Sequence, residues 1–204
     1  MASVVFLRGV NVGGHRVFRP SLLVAKLSHL GVVNVGAAGT FVVRKPTSAS
    51  QVRREFLEQL PFEAELMLCS GREVSALVRS RPFGTGGPKP GVKWFVNVLA
   101  RKPRRAPPLP LLAPPGEPWE MNVFACPGRF ALSLWRRLRP RFLMPATVIE
   151  PAFGVRCTTR SWSTFVALDR VLSAPGAASR PSRARSATSA RRSRGARRRR
   201  VPSG

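Results

Sequence analysis

Acidic side chains are scarce in this chain: nine Asp and Glu stand against 35 Lys and Arg. Acid/base chemistry that needs two cooperating carboxylates has little to draw on, and Glu55 with Glu58, or Glu63 with Glu65, reads as the solvated face of a helix or a strand. Histidine is scarcer still, with His15 and His29 the two copies. Neither has a carboxylate beside it in sequence, and His29 falls where a cation suits a helix C-terminus. The three cysteines, Cys69, Cys126 and Cys157, are odd in number and form no Cys-x-x-Cys pair. This argues against a disulfide framework or a zinc site and fits a reducing cytoplasm, with the thiols as small buried groups. No apolar run approaches the roughly 18 residues of a spanning helix, and no secretion signal is recognisable, so the expectation is a protein neither membrane-inserted nor secreted. A dinucleotide fingerprint, a phosphate loop and a nucleophile elbow are all missing. An ordinary hydrolase is disfavoured, and no cofactor is implied.

Positive charge is abundant. The formal net charge is +26, and from Ala174 onward there are ten arginines and no acid. That stretch is built largely from Arg, Ser, Ala, Pro and Gly, which bury too little apolar area to offset chain entropy, so a disordered basic tail is expected over 174–204. Its arginines, Arg197, Arg198, Arg199 and Arg200 among them, would attract nucleic acid with strong salt dependence and little sequence selectivity. Within the folded part, Trp135 is followed by Arg136, Arg137, Arg139 and Arg141, an aromatic beside a basic cluster that is compatible with single-stranded nucleic acid. The competing readings are a biased composition for the charge and core anchoring for Trp94, Trp119, Trp135 and Trp162.

The patterning predicts alternating strands and helices. Val4–Leu7 suits a buried strand; Pro20 to Leu30, closed by Gly31, has helical spacing. Val32–Val35 and Thr40–Val43 read as a strand or strand pair around a small-residue bend. Ser48 with Gln51, and Ser70 with Glu73, have capping-box spacing before helices. Glu63–Cys69 and Val92–Leu99 read as strands, the proline-rich 101–118 as a solvated connection, and Trp119–Ala125 with Phe130–Trp135 as a hairpin. Two helical segments are expected near Arg141–Glu150 and Arg160–Leu172. The fold class is therefore α+β, a mixed or antiparallel sheet with helices packed on it, in one domain over 1–173.

The stretch Val4–Gly14 runs from an apolar strand into a glycine-rich turn, a place where backbone N–H groups can gather. Arg8, Asn11, Gly13 and Gly14, with His15 nearby and Thr159 and Arg160 from the far end of the domain, form a candidate anion-binding set. In it two guanidiniums would grip a phosphate or carboxylate. The alternative is a plain tight turn, with Arg160 bracing the last helix.

Two of these stretches carry a resemblance. Leu7-Arg8-Gly9-Val10-Asn11-Val12-Gly13-Gly14 is similar to the opening motif, and Cys157-Thr158-Thr159-Arg160-Ser161-Trp162-Ser163-Thr164 to the closing motif, of a bacterial family known as domain of unknown function 1697. The helix from Pro20 and Arg81-Pro82-Phe83 fit its layout too. The chain departs from the family pattern at Ala38-Gly39-Thr40, at Ser161 and Ser163, and at Arg139-Pro140-Arg141. The resemblance covers most of 1–173 and implies an α+β fold with ferredoxin-like elements and no established activity. The functional expectation is a cytoplasmic binding or accessory module with a small anionic ligand. The alternatives are a small enzyme acting on a phosphorylated or carboxylated metabolite at the same place, and nonspecific nucleic-acid binding through the tail.

Overall fold

The strands of this α+β protein divide into two antiparallel sheets. The computed structural model describes residues 1–10, 19–138, 140 and 143–174. In chain order the elements are β1 (Ser3–Arg8), α1 (Pro20–Lys26), β2 (Val32–Asn34), β3 (Thr40–Val43), α2 (Ala49–Gln59), β4 (Glu65–Ser70) and α3 (Gly71–Arg79). There follow β5 (Val92–Leu99), β6 (Leu111–Ala113), β7 (Met121–Ala125), β8 (Phe130–Arg136), α4 (Pro145–Phe153), β9 (Cys157–Ser161) and α5 (Trp162–Ser173). The first sheet has the order β2-β3-β1-β4 and the second β6-β7-β8-β5-β9.

These orders reveal one plan used twice. The first half is a βαββαβ unit of the ferredoxin-like kind. In the second, β5, β7, β8 and β9 occupy the places of β1, β2, β3 and β4, with β6 added at the edge. Register supports the match: Ser3 pairs with Ser70 as Phe95 pairs with Ser161, and Leu7 with Leu66 as Leu99 with Cys157. Each half then leaves its last strand through a serine that caps a helix. Ser70 Oγ accepts from Glu73 N at 3.2 Å while the Glu73 carboxylate takes Ser70 N at 2.8 Å, a full capping box. Ser161 Oγ accepts from Thr164 N at 3.4 Å. Where the first half has α1 between its first two strands, the second has the proline-rich stretch, in which Leu111–Ala113 forms the short β6.

Side-chain alternation along the strands splits the core into three layers. Val4 and Phe6 face a central layer shared with Val96, Val98, Phe130 and the inner faces of α3 and α5. Val5 and Leu7 face α1 and α2, and Leu99, Met121 and Trp135 face α4. The local reading holds at α2, where Ser48 Oγ accepts from Gln51 N at 3.2 Å, and at the β7–β8 hairpin.

Several readings differ from expectation. The helix expected from Pro20 to Leu30 ends at Lys26 and is followed by a 3-10 turn over Ser28–Leu30. The proline-rich 101–118, expected as a solvated connection, packs Leu109, Leu111 and Ala113 on the core because β6 pairs with β7. The fourth helix starts at Pro145, whose fixed φ suits a first helical position, and closes at Gly154 with φ 61°. The last helix starts at Trp162, because Cys157–Ser161 pair with β5 as a strand. Arg160 therefore sits on a strand and not on a helix.

Candidate functional site

The ends of β1 and β9 meet where the two sheets abut. Leu7 N donates to Gly39 O at 2.8 Å, drawing the β2–β3 bend onto β1. That approach requires glycine: Gly39 has φ +68°, and a Cβ there would lie 2.6 Å from Val10 Cγ2 and 2.9 Å from Leu7 Cβ. Arg160 reaches across this seam from β9. Its Nη2 donates to Leu7 O at 2.7 Å and Gly39 O at 3.2 Å. Its Nε donates to Thr40 Oγ1 at 2.7 Å, and its Nη1 to Thr158 Oγ1 and Thr159 O, both at 2.8 Å. The Phe6 ring centroid is 5.8 Å from its Cζ. Five acceptors match the five donors of a guanidinium. Arg160 is 6% exposed, and burial lowers its pKa to about 10, so it remains a cation at neutral pH. No carboxylate among the described residues pairs with it.

Arg8, in contrast, is ion-paired. Its Nη2 donates to Glu150 Oε1 at 2.9 Å and Oε2 at 3.2 Å, and its Nε to Glu150 Oε1 at 3.2 Å and Cys157 O at 3.1 Å. Glu150 Oε1 also accepts from Cys157 N at 2.9 Å. The Arg8 Nη1 meets Glu65 Oε2 only at 3.6 Å, beyond hydrogen-bond length, while Glu65 is held by Arg156. Nη1 is thus the least committed donor group of the cluster, on a side chain 30% exposed.

Both arginines line one cleft of about 510 Å3, with Val10 and Ala38 on one side and Phe95, Met144, Pro145 and Ala146 on the other. Thr159 lines it too and donates Oγ1 to Asn97 Oδ1 at 2.7 Å. Asn97 is buried and donates Nδ2 to Ala131 O and Ser133 Oγ, each at 3.0 Å. Its Oδ1 is then the acceptor, and the Thr159 oxygen keeps lone pairs for another donor. The Cys157 thiol in the cleft wall is pushed up to about 12, chiefly by burial with Glu150 adding to it, and burial does the same to Cys69. Neither is a thiolate nucleophile near neutral pH. Asn11, Gly13, Gly14 and His15 lie outside the described residues.

The basic cluster after β8 is placed differently from a stacking platform. Trp135 is buried. Arg136 lies over the Trp119 ring at 4.1 Å and donates to Trp119 O at 2.6 Å and Glu117 Oε2 at 2.5 Å. Arg137 donates to Pro140 O. Arg197, Arg198, Arg199 and Arg200 lie outside the described residues. His29 sits in a short 3-10 turn and pairs with Glu55 of α2. Glu55 also accepts from Gln51, and these two partners hold its carboxyl below the usual range, so Glu55 is engaged within the fold and not merely solvated. Among the described residues no group of three or more His, Cys, Asp or Glu is arranged for a metal ion, and no helix is long and apolar enough to cross a membrane.

The sequence model of the family described as "Protein of unknown function (DUF1697)" matches residues 1–123. The chain belongs to this family. Within this DUF1697 chain, the matched range contains Arg8 and Gly39 and ends in β7, so the β9 side of the cleft lies beyond it. The conserved bacterial protein SP0830 from Streptococcus pneumoniae has the same fold, with a TM-score of 0.53 and 16% identity over 84% of this chain and 98% of that one. No curated protein matches the chain.

Sequence reasoning missed two features of this DUF1697 member. Arg129 joins the sheets at a second point, donating to Leu68 O at 2.6 Å and, from Nη2, to Leu99 O at 2.6 Å. Its position after Pro127-Gly128 in a hairpin turn carried no signal of that role. Arg101, Lys102, Arg104 and Arg105 are all exposed, a cluster whose density was visible in the sequence.

Proposed function

We propose that the protein is a cytoplasmic binding or accessory module that holds a small organic anion, a carboxylate or phosphate ester with an apolar body, in the cleft between β1 and β9. The observation that carries this is the Arg8 Nη1, which keeps donor capacity beside a largely apolar cleft. Arg8 is the direct ligand-binding group. Arg160 adds buried positive charge without a carboxylate counterpart among the described residues and fixes the cleft wall, while Thr159 Oγ1 accepts from a hydroxyl or N–H of the same ligand. The enzymatic alternative lacks a free general base here, since Glu150 is engaged by Arg8 and Cys157 N.

The test is a thermal-shift screen of small carboxylates and phosphate monoesters on the full chain, repeated with Arg8→Ala and Thr159→Val. The expected outcome is stabilisation by one ligand class, worth about 2.7 kcal/mol at a hundredfold excess over Kd, that disappears in Arg8→Ala and weakens in Thr159→Val. No stabilising ligand, or equal stabilisation of Arg8→Ala, overturns the proposal.

A further inference from the structure

A second concave surface lies where the chain leaves β5. Arg101, Arg104, Arg105, Pro107 and Pro108 form one wall of a groove of about 500 Å3, and Pro151–Val155 at the end of α4 form the other. Arg101, Lys102, Arg104 and Arg105 are exposed, and none has a hydrogen bond or ion pair among the described residues. Six of the nine carboxylates are occupied elsewhere: Glu65 and Glu150 by Arg8 and Arg156, Glu117 by Arg136, Glu55 by His29, Glu58 by Arg54 and Glu73 by its own helix cap. Four cations in five residues therefore repel one another without local compensation, and an incoming polyanion relieves that repulsion.

We infer that this groove binds the phosphodiester backbone of a single-stranded nucleic acid. The four chain intervals from Arg101 to Arg105 reach at most about 14 Å, longer than one phosphate group, so the cations address successive phosphates. Prolines at 103, 107, 108 and 110 stiffen the backbone that carries them, which reduces the entropy lost on binding. The opposite wall has different chemistry. Carbonyls at a helix C-terminus accept N–H groups and repel anions, so the α4 end favours base amino groups while the arginine wall takes phosphates. A membrane surface fits less well, because the groove is concave and the exposed large apolar residues, Met1, Leu22, Leu57, Leu138 and Met144, all lie outside it.

The experiment titrates a labelled mixed-sequence oligonucleotide with the full chain over a salt series. It compares the wild type, the triple variant Arg101→Ala/Arg104→Ala/Arg105→Ala, and a charge-matched triple variant at the exposed Arg72, Arg79 and Arg170. Because all three proteins keep the C-terminal arginines, the comparison separates the groove from the tail and from net charge. The groove variant is expected to lower the salt slope by about 2 and to bind at least about tenfold more weakly than the charge-matched variant. Equal loss in both variants overturns the inference. So does groove-dependent binding to anionic vesicles without groove-dependent binding to the oligonucleotide, or full displacement of the oligonucleotide by equimolar inorganic phosphate at constant ionic strength.

Discussion

The two halves share a strand order yet treat arginine in opposite ways where the chain leaves the first strand. Register makes the end of β1 equivalent to the end of β5, with Leu7 matching Leu99. In the first half the next residue, Arg8, turns back into Glu150 and Cys157 O, and the adjoining seam is closed by Arg160 with a full set of internal acceptors. In the second half the chain runs on through Arg101, Arg104 and Arg105, which line a groove and face solvent. Guanidinium chemistry is the same at both places. What separates a structural arginine from one free for a ligand is whether acceptors lie within reach, and that depends on which strands are brought together.

Removing Arg160 breaks this comparison most severely. Arg160→Ala removes a donor from Leu7 O, Gly39 O, Thr40 Oγ1, Thr158 Oγ1 and Thr159 O, of which Gly39 O keeps Leu7 N and Leu7 O keeps the Thr158 hydroxyl, and the expected loss is on the order of 3 kcal/mol. A shifted urea midpoint measures it. Arg160→Lys restores only part, because an ammonium has three donors and no planar fork.

The buried thiols sharpen the picture through pH. Cys69 and Cys157 have an ordinary pKa of 9.0 that is raised to about 12 in the folded protein. Between these values the unfolded chain has lost protons that the folded one keeps. The contribution from the buried neutral thiols is therefore complete below pH 9 and declines as pH rises toward 12, with a slope of up to about 1.4 kcal/mol per pH unit for each thiol. Unfolding curves of wild type and Cys157→Ala compared across pH 8 to 11 should show the shallower decline in the variant.

The smallest effect is expected in the second half. Neutralising Arg101, Arg104 and Arg105 together should leave stability within about 0.5 kcal/mol, measured by the same denaturation assay. A larger loss would mean that these side chains, like Arg160, are part of the scaffold.

Much of the local fold was legible in the residues. The apolar run before Gly9, the serine caps at positions 48 and 70, and the hairpin around Cys126-Pro127-Gly128-Arg129 each announce an element through short-range chemistry. The start of the last helix was not legible. Ser161 is a good cap, but Thr158 and Thr159 become a strand only because β5 lies alongside them. The candidate site was legible in part: Arg8, Thr159 and Arg160 line one cleft, whereas the partners of Arg160 at Leu7, Gly39 and Thr40 are too distant in the chain for any spacing rule to reveal. The basic run at 101–105 was visible as composition, and its grooved form was not.

By itself the sequence determined the α+β class, the excess of cations over carboxylates and the positions of most caps and turns, because these follow from side-chain periodicity, charge and local hydrogen bonding. Tertiary structure alone decided that the strands form two related sheets, that Arg160 closes their seam, and that the arginines after β5 find no acceptor among the described residues. Those outcomes depend on which distant acceptors and strand edges meet, and pairing across more than a hundred residues is a property of the packed molecule.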